Sequence, residues 1–307
     1  MITRQAFLRV ATRSLRAFII AYVSAAVILM FLERWLIYPI PPRENPVAGN
    51  PNIAASTAYE DVWIEGDGGV RLHGWYLSHP KPRATVLFFH GNGEDISNCG
   101  PEMAHWRDLF AINVLVMDYR GYGQSEGKPS EKWLVSDGVK AANWAAERAQ
   151  VLPSDLVLWG RSIGGGVAAG VAESIDPRAM IMECTFDSLA NVAAEHVRWI
   201  PVRWLMSNQY RSYQRLANYQ GEFIQWHGDR DNIVPLTAAQ RLFDAIPSQR
   251  KSFILARGRG HNDDSPMEFK AEVRRLFNKS SPLGGGEKMT GKEWKADTHD
   301  EQIDEPK

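Results

Sequence analysis

A chain of 307 residues, 44% of them hydrophobic, is long enough to bury one large core or two small ones. Its formal net charge of −1 creates no global basic field, which disfavours a nucleic-acid partner. Two cysteines far apart in sequence, Cys99 and Cys184, set up neither a disulfide framework nor a metal-ligand spacing.

Residues 1–16 carry Arg4, Arg9, Arg13 and Arg16 and no acid. An uncharged run from Ala17 to Leu32 follows, then Glu33, Arg34, Trp35 and Tyr38. The run falls slightly short of the roughly 20 residues that cross a bilayer. Snorkelling arginines (Arg16 and Arg34) and interfacial aromatics extend it. Residues 17–38 are therefore expected to form a single membrane anchor. A cleaved signal sequence is the first alternative, although no small-x-small cleavage site follows the apolar run. A buried amphipathic helix is the second, but the segment has no polar face. Arginines before the run outnumber those just after it, which keeps the N-terminus cytoplasmic and places the folded domain on the far side, periplasmic in a Gram-negative cell. Residues 39–58 are rich in Pro and Asn and read as a linker.

From residue 59 the pattern changes. Tyr59–Glu65 and Val70–Ser78 read as an antiparallel pair turned at Asp67-Gly68-Gly69. Continuous apolar runs follow at Ala84–Phe89, Asn113–Met117, Leu156–Trp159, Ala179–Met182, Phe223–Trp226 and Ser252–Leu255. Runs with so little alternation mark strands covered on both faces, as in a parallel sheet. Helical stretches such as Glu131–Gln150 and Gly164–Ser174 separate most of them. The expectation is an α/β fold, a mostly parallel, doubly wound sheet over residues 59–279. Residues 188–218 exceed a plain crossover and read as a small helical cap. The tail, residues 280–307, is polar and Gly-rich and is expected to be disordered.

Four segments carry chemistry. Gly160-Arg161-Ser162-Ile163-Gly164 follows a strand and opens a helix. A serine hydroxyl needs exposure, orientation and a neighbouring base, and a sharp strand-to-helix turn flanked by small residues supplies the first two. His90-Gly91-Asn92-Gly93 ends another strand; the backbone N–H of Asn92, with that of Ile163, suits an oxyanion. His90 reads as a loop-fixing hydrogen bonder. His227-Gly228-Asp229-Arg230-Asp231 and Gly260-His261 follow two later strands. The order Ser162, Asp231, His261 suits a nucleophile, its acid and its base, with Asp229 the rival acid. Cys184 lacks a glycine elbow and reads as a buried small hydrophobe. Neither a metal site nor a cofactor is implied. Arg198-Trp199 and Arg203-Trp204 interleave charge with aromatics, either as a lid on lipid headgroups or as a packed cap.

Together with Asp118-Tyr119-Arg120-Gly121-Tyr122-Gly123-Gln124-Ser125-Glu126-Gly127 and Pro129-Ser130-Glu131, these motifs resemble the α/β-hydrolases. The similarity is to the acyl-protein thioesterase and Bem-like membrane-anchored branch, and it runs from about Val62 to Phe277. It implies Ser162, Asp231 and His261 as nucleophile, acid and base and Asn92 in the oxyanion loop. The Asp118–Gly123 stretch also has a structural account: it ends a strand in a glycine-rich loop, where Asp118 and Arg120 would hold loops rather than react. The cytosolic thioesterases of that branch are similar in carrying a lipidated, Cys-rich N-terminus. Here no Cys precedes Cys99, so palmitoyl-protein substrates are not implied. The expected activity is hydrolysis of ester or thioester bonds in small or lipid-like acyl substrates through an acyl-enzyme. A peptidase, an acyltransferase and a non-catalytic binding protein on the same fold stay open.

Overall fold

The computed structural model describes residues 4–40 and 59–279. Most of the expected linker, residues 41–58, and the tail from residue 280 lie outside them. A long helix, α1 (Arg4–Ile37), comes first. It starts well before the uncharged run because residues 4–16 hold no Gly or Pro and several strong helix formers.

The described residues then form an eight-stranded sheet in the order β1-β2-β4-β3-β5-β6-β7-β8. Strands β1 (Glu60–Glu65) and β2 (Arg71–Leu77) are antiparallel, and β2 runs antiparallel to β4 (Asn113–Met117). The remaining pairings are parallel and join β3 (Thr85–Phe89), β5 (Val157–Arg161), β6 (Ala179–Glu183), β7 (Glu222–Gly228) and β8 (Lys251–Ala256). This is the expected doubly wound sheet.

Both faces are covered, which is why the strands read as unbroken apolar runs. Along β3, Leu87 and Phe89 enter a core with α3 (Glu131–Ala149) and α4 (Ile163–Ile175), through Leu134, Ala141 and Val167. Val86 and Phe88 enter the other, with α2 (Ile96–Phe110) and α9 (Met267–Asn278), through Trp106, Phe269 and Phe277. Between β6 and β7 the chain inserts α5 (Leu189–His196), α6 (Val202–Leu205) and α7 (Ser212–Arg215), the expected helical cap. Helix α8 (Leu236–Ala245) links β7 to β8.

The Asp118–Gly127 loop is pinned from several sides. Asp118 Oδ1 accepts from Ile96 N–H at 2.9 Å. Arg120 donates to both carboxylate oxygens of Asp137, at 2.5 and 2.7 Å, and to the Asp67 carbonyl. Its guanidinium lies 4.4 Å from the Trp133 ring centroid. Burial pushes the Asp137 carboxyl above its ordinary value even with Arg120 beside it. The pair is therefore costly to bury and costlier to break. Asp137→Ala should destabilise the fold by about 3–5 kcal/mol by leaving Arg120 buried without its partner. Urea unfolding of the two proteins measures the difference.

Candidate active site

Strand β5 gives way to α4 at a sharp corner occupied by Ser162. Its backbone takes φ 55° and ψ −121°, which L-residues seldom adopt. The corner is tied down on both sides. Ser162 N–H donates to the Glu183 carbonyl at 2.8 Å, and Thr185 Oγ1 donates to the Ser162 carbonyl at 2.8 Å. Glycine is required at either flank. A Cβ on Gly160 would lie 2.6 Å from the Gly164 carbonyl oxygen. One on Gly164 would lie 2.2 Å from the Phe89 carbonyl oxygen and 2.6 Å from that of His90. The same closeness brings the His90–Gly93 loop against the corner.

Ser162 Oγ lies 2.9 Å from His261 Nε2, and His261 Nδ1 lies 2.6 Å from Asp231 Oδ2. The side chains of Asp231 and His261 are 0% and 8% exposed. An ionised carboxylate can only accept, so the neutral imidazole carries its proton on Nδ1 and Nε2 accepts from the serine hydroxyl. That hydroxyl can pass its proton to Nε2 as the oxygen attacks an electrophile. Asp231 Oδ1 accepts from Ile233 N–H at 2.9 Å and Val234 N–H at 2.8 Å. Burial works to raise the Asp231 carboxyl, but the hydrogen bond and electrostatic attraction from His261 and the two backbone donors outweigh it and hold the group below its ordinary value. Asp229, the rival acid, is exposed and accepts from Gly258 N–H at 2.6 Å instead.

Ile163 opens α4, so its N–H belongs to the first turn, where no intrahelical carbonyl is available. Asn92 sits exposed in the loop after β3. Its amide is fixed at both ends: Nδ2 donates to the Ile37 carbonyl at 2.6 Å, and Oδ1 accepts from Tyr122 Oη at 3.1 Å. His90 is buried against Tyr119, with ring centroids 4.0 Å apart, and its Nδ1 lies 2.8 Å from the Gly91 carbonyl. Both cysteines are free and buried. Cys184 lies beside the relay, its Sγ within 4.8 Å of donor atoms of Asp231 and His261. Burial pushes its thiol well up, and the other two groups are already bonded to each other, so the trio is a poor ligand set.

Sequence reasoning missed three contributors. Thr185 anchors the corner from the residue after Cys184, and a lone Thr behind a strand carries no signal. His227 is wholly buried, with Nε2 2.9 Å from the Val234 carbonyl, and supports the Asp231 loop from beneath. The third is the end of α1, which supplies the Ile37 carbonyl to Asn92 across 55 residues.

Residues 80–212 match the family model described as serine aminopeptidase, S33. The protein Rv2307c of Mycobacterium tuberculosis is 34% identical over 273 residues, covering 87% of this chain and 95% of that one. Protein bem46 of Schizosaccharomyces pombe is 26% identical over 248 residues, 75% of this chain and 80% of its own. Among solved structures, the esterase Pf2001 of Pyrococcus furiosus superposes with a TM-score of 0.64 at 18% identity, over 78% of this chain and 99% of that one. That last likeness is one of fold.

Proposed function

From the premise that this chain belongs to the α/β-hydrolase family, in its Bem46-like branch, we propose that it is a serine hydrolase cleaving carboxylic ester or thioester bonds of lipophilic acyl substrates. One observation carries the reading: the unbroken relay from Ser162 Oγ through His261 to the buried carboxylate of Asp231. Ser162 Oγ attacks the substrate carbonyl while His261 Nε2 takes its proton. The imidazolium is held by Asp231, and the oxyanion by the N–H groups of Asn92 and Ile163. The tetrahedral intermediate collapses, the leaving alcohol or thiol takes the proton from His261, and the acyl group stays on Ser162. Water then attacks the acyl-enzyme and gives its proton to His261. The free acid departs and Ser162 Oγ is protonated again.

A panel of p-nitrophenyl esters, acyl thioesters and aminoacyl p-nitroanilides, offered to the intact detergent-solubilised chain, tests this. Turnover of the esters and thioesters is expected. Turnover confined to the anilides would replace the reading with the aminopeptidase activity that the matched family model is named for. Free acid is the expected product even with a competing alcohol; transfer to the alcohol in its place would make the protein an acyltransferase.

Helix α1 holds one stretch, Ala11–Ile37, long and apolar enough to cross a membrane. We read it as an uncleaved anchor with its N-terminus in the cytoplasm and the hydrolase domain outside it, because Arg13 and Arg16 stand on the N-terminal side of its apolar centre. Alkaline phosphatase fused to the C-terminus should then be active in a Gram-negative host. An inactive phosphatase, with a bright fluorescent protein in its place, would reverse the orientation.

A further inference from the structure

Helix α1 does not stand clear of the hydrolase domain. Near its end, Glu33 Oε1 accepts from the backbone N–H groups of Ser207 and Asn208, at 2.9 and 2.7 Å, and from Asn208 Nδ2 at 2.9 Å. Tyr38 Oη donates to Asn208 Oδ1 at 3.0 Å and lies 2.8 Å from Tyr210 Oη. Further back along the helix, Tyr22 Oη donates to the Trp199 carbonyl at 2.9 Å. The cap thus touches α1 at two levels about 16 Å apart, by the rise of an α-helix.

A groove of about 150 Å³ lies between those contacts. Ala26, Leu29 and Met30 of α1 form one wall, and Val197, Ile200 and Leu205 of the cap form the other. Glu33 is its polar lining residue, and that carboxylate is occupied by the cap N–H groups. An apolar groove of this size takes up slender apolar matter and rejects a polar headgroup.

Each wall is bonded to a loop of the candidate site. Ile37 lines the groove, and its carbonyl is the one bonded to Asn92. Ala193 lines it from α5; three residues on, His196 Nε2 lies 3.0 Å from the carbonyl of Ile233, in the loop that carries Asp231. One wall of the groove is thus tied to the loop of Asn92 and the other to the loop of Asp231. Its far end, at Ala26, falls well inside the apolar span. Beside it the cap presents two aromatic side chains, Trp199 and Trp204, 62% and 88% exposed.

We infer that this groove is the acyl-chain site of the hydrolase, and that the chain of a bilayer-resident lipid ester enters it sideways from the membrane, between α1 and the cap. The inference rests on the reading of Ser162 as the nucleophile. It explains why the helix is docked on the cap: docking builds one wall of the site.

The test uses the intact chain in lipid nanodiscs, with p-nitrophenyl palmitate and p-nitrophenyl butyrate as probes. Ala26→Trp and Ala193→Trp, each filling the groove from one wall, should lower the palmitate-to-butyrate ratio of kcat/KM by about fifty-fold, the loss of roughly three buried methylenes. A ratio that stays at the parent's value overturns the inference, whatever happens to the two rates separately. An independent arm needs no turnover. Hexadecanoic acid carrying a diazirine near its methyl end is photo-crosslinked to the parent, and the labelled peptides are mapped by mass spectrometry. Label on peptides spanning 26–37 and 193–206 is expected; label confined elsewhere overturns the groove. If no ester is cleaved by the parent, the hydrolase reading fails, and the crosslink still decides the groove.

Discussion

Replacing Ser162 with alanine should lower kcat for a short-chain ester by about a millionfold, the scale seen when a serine nucleophile is removed from such a relay. Alanine takes up no more space at the corner, and the backbone bonds from Ser162 N–H and to its carbonyl remain available. The far-ultraviolet circular dichroism should therefore match that of the parent. A fluorophosphonate, which phosphorylates activated serines, should label the parent and leave the variant unlabelled. Labelling of both would move the nucleophile to another residue. A well-folded parent that neither takes label nor cleaves esters would favour a binding role on the same fold.

Asp231→Asn tests the relay from its other end, and the expected loss is about ten-thousandfold in kcat. The backbone N–H groups of Ile233 and Val234 demand an acceptor at Oδ1. The new amide therefore turns its NH₂ towards His261 Nδ1. That nitrogen must then accept, the proton moves to Nε2, and Nε2 can no longer receive one from Ser162. The substitution also alters the pH dependence of stability. The folded carboxyl of Asp231 lies below its ordinary value, so its ionised form stabilises the fold at pH above the ordinary carboxylate range. That contribution is lost as pH falls through the lower, folded value. Acid unfolding of the variant should lack this component, and parallel pH titrations of urea stability would show it. A kcat within tenfold of the parent would remove Asp231 from the acid's role.

Much of the fold was legible because burial on both faces writes itself into a strand as an apolar run, as in Val86-Leu87-Phe88-Phe89. The candidate site was legible for a different reason: Gly160 and Gly164 are imposed by backbone atoms 2.2–2.6 Å from any added Cβ, and that requirement survives as a sequence pattern. The candidate acid was only half legible. Asp229 and Asp231 stand two residues apart after the same strand, and what separates them is which backbone N–H groups each accepts. Helix α2 was harder still. It contains Gly100 and Pro101, both helix-weakening residues. The glycine is explained only by the partner strand, because a Cβ there would lie 2.5 Å from the Trp75 ring. The docking of α1 left no local trace. Glu33 and Tyr38 meet Asn208 from 175 and 170 residues away, and no periodicity records a contact of that kind.

Tyr38 is 2% exposed, and it belongs to the same apolar core as Leu87, Phe89 and Tyr210. Emptying such a position costs roughly 3–5 kcal/mol in comparable cores, a large share of a typical domain's net stability. The cooperative folding unit therefore reaches back into the last turns of α1, to Glu33, and a fragment beginning at residue 59 would be thermodynamically incomplete. Under the proposed anchoring, membrane insertion and folding of this domain become one coupled event, and severing the helix acts as an inactivating step as much as a release from the bilayer.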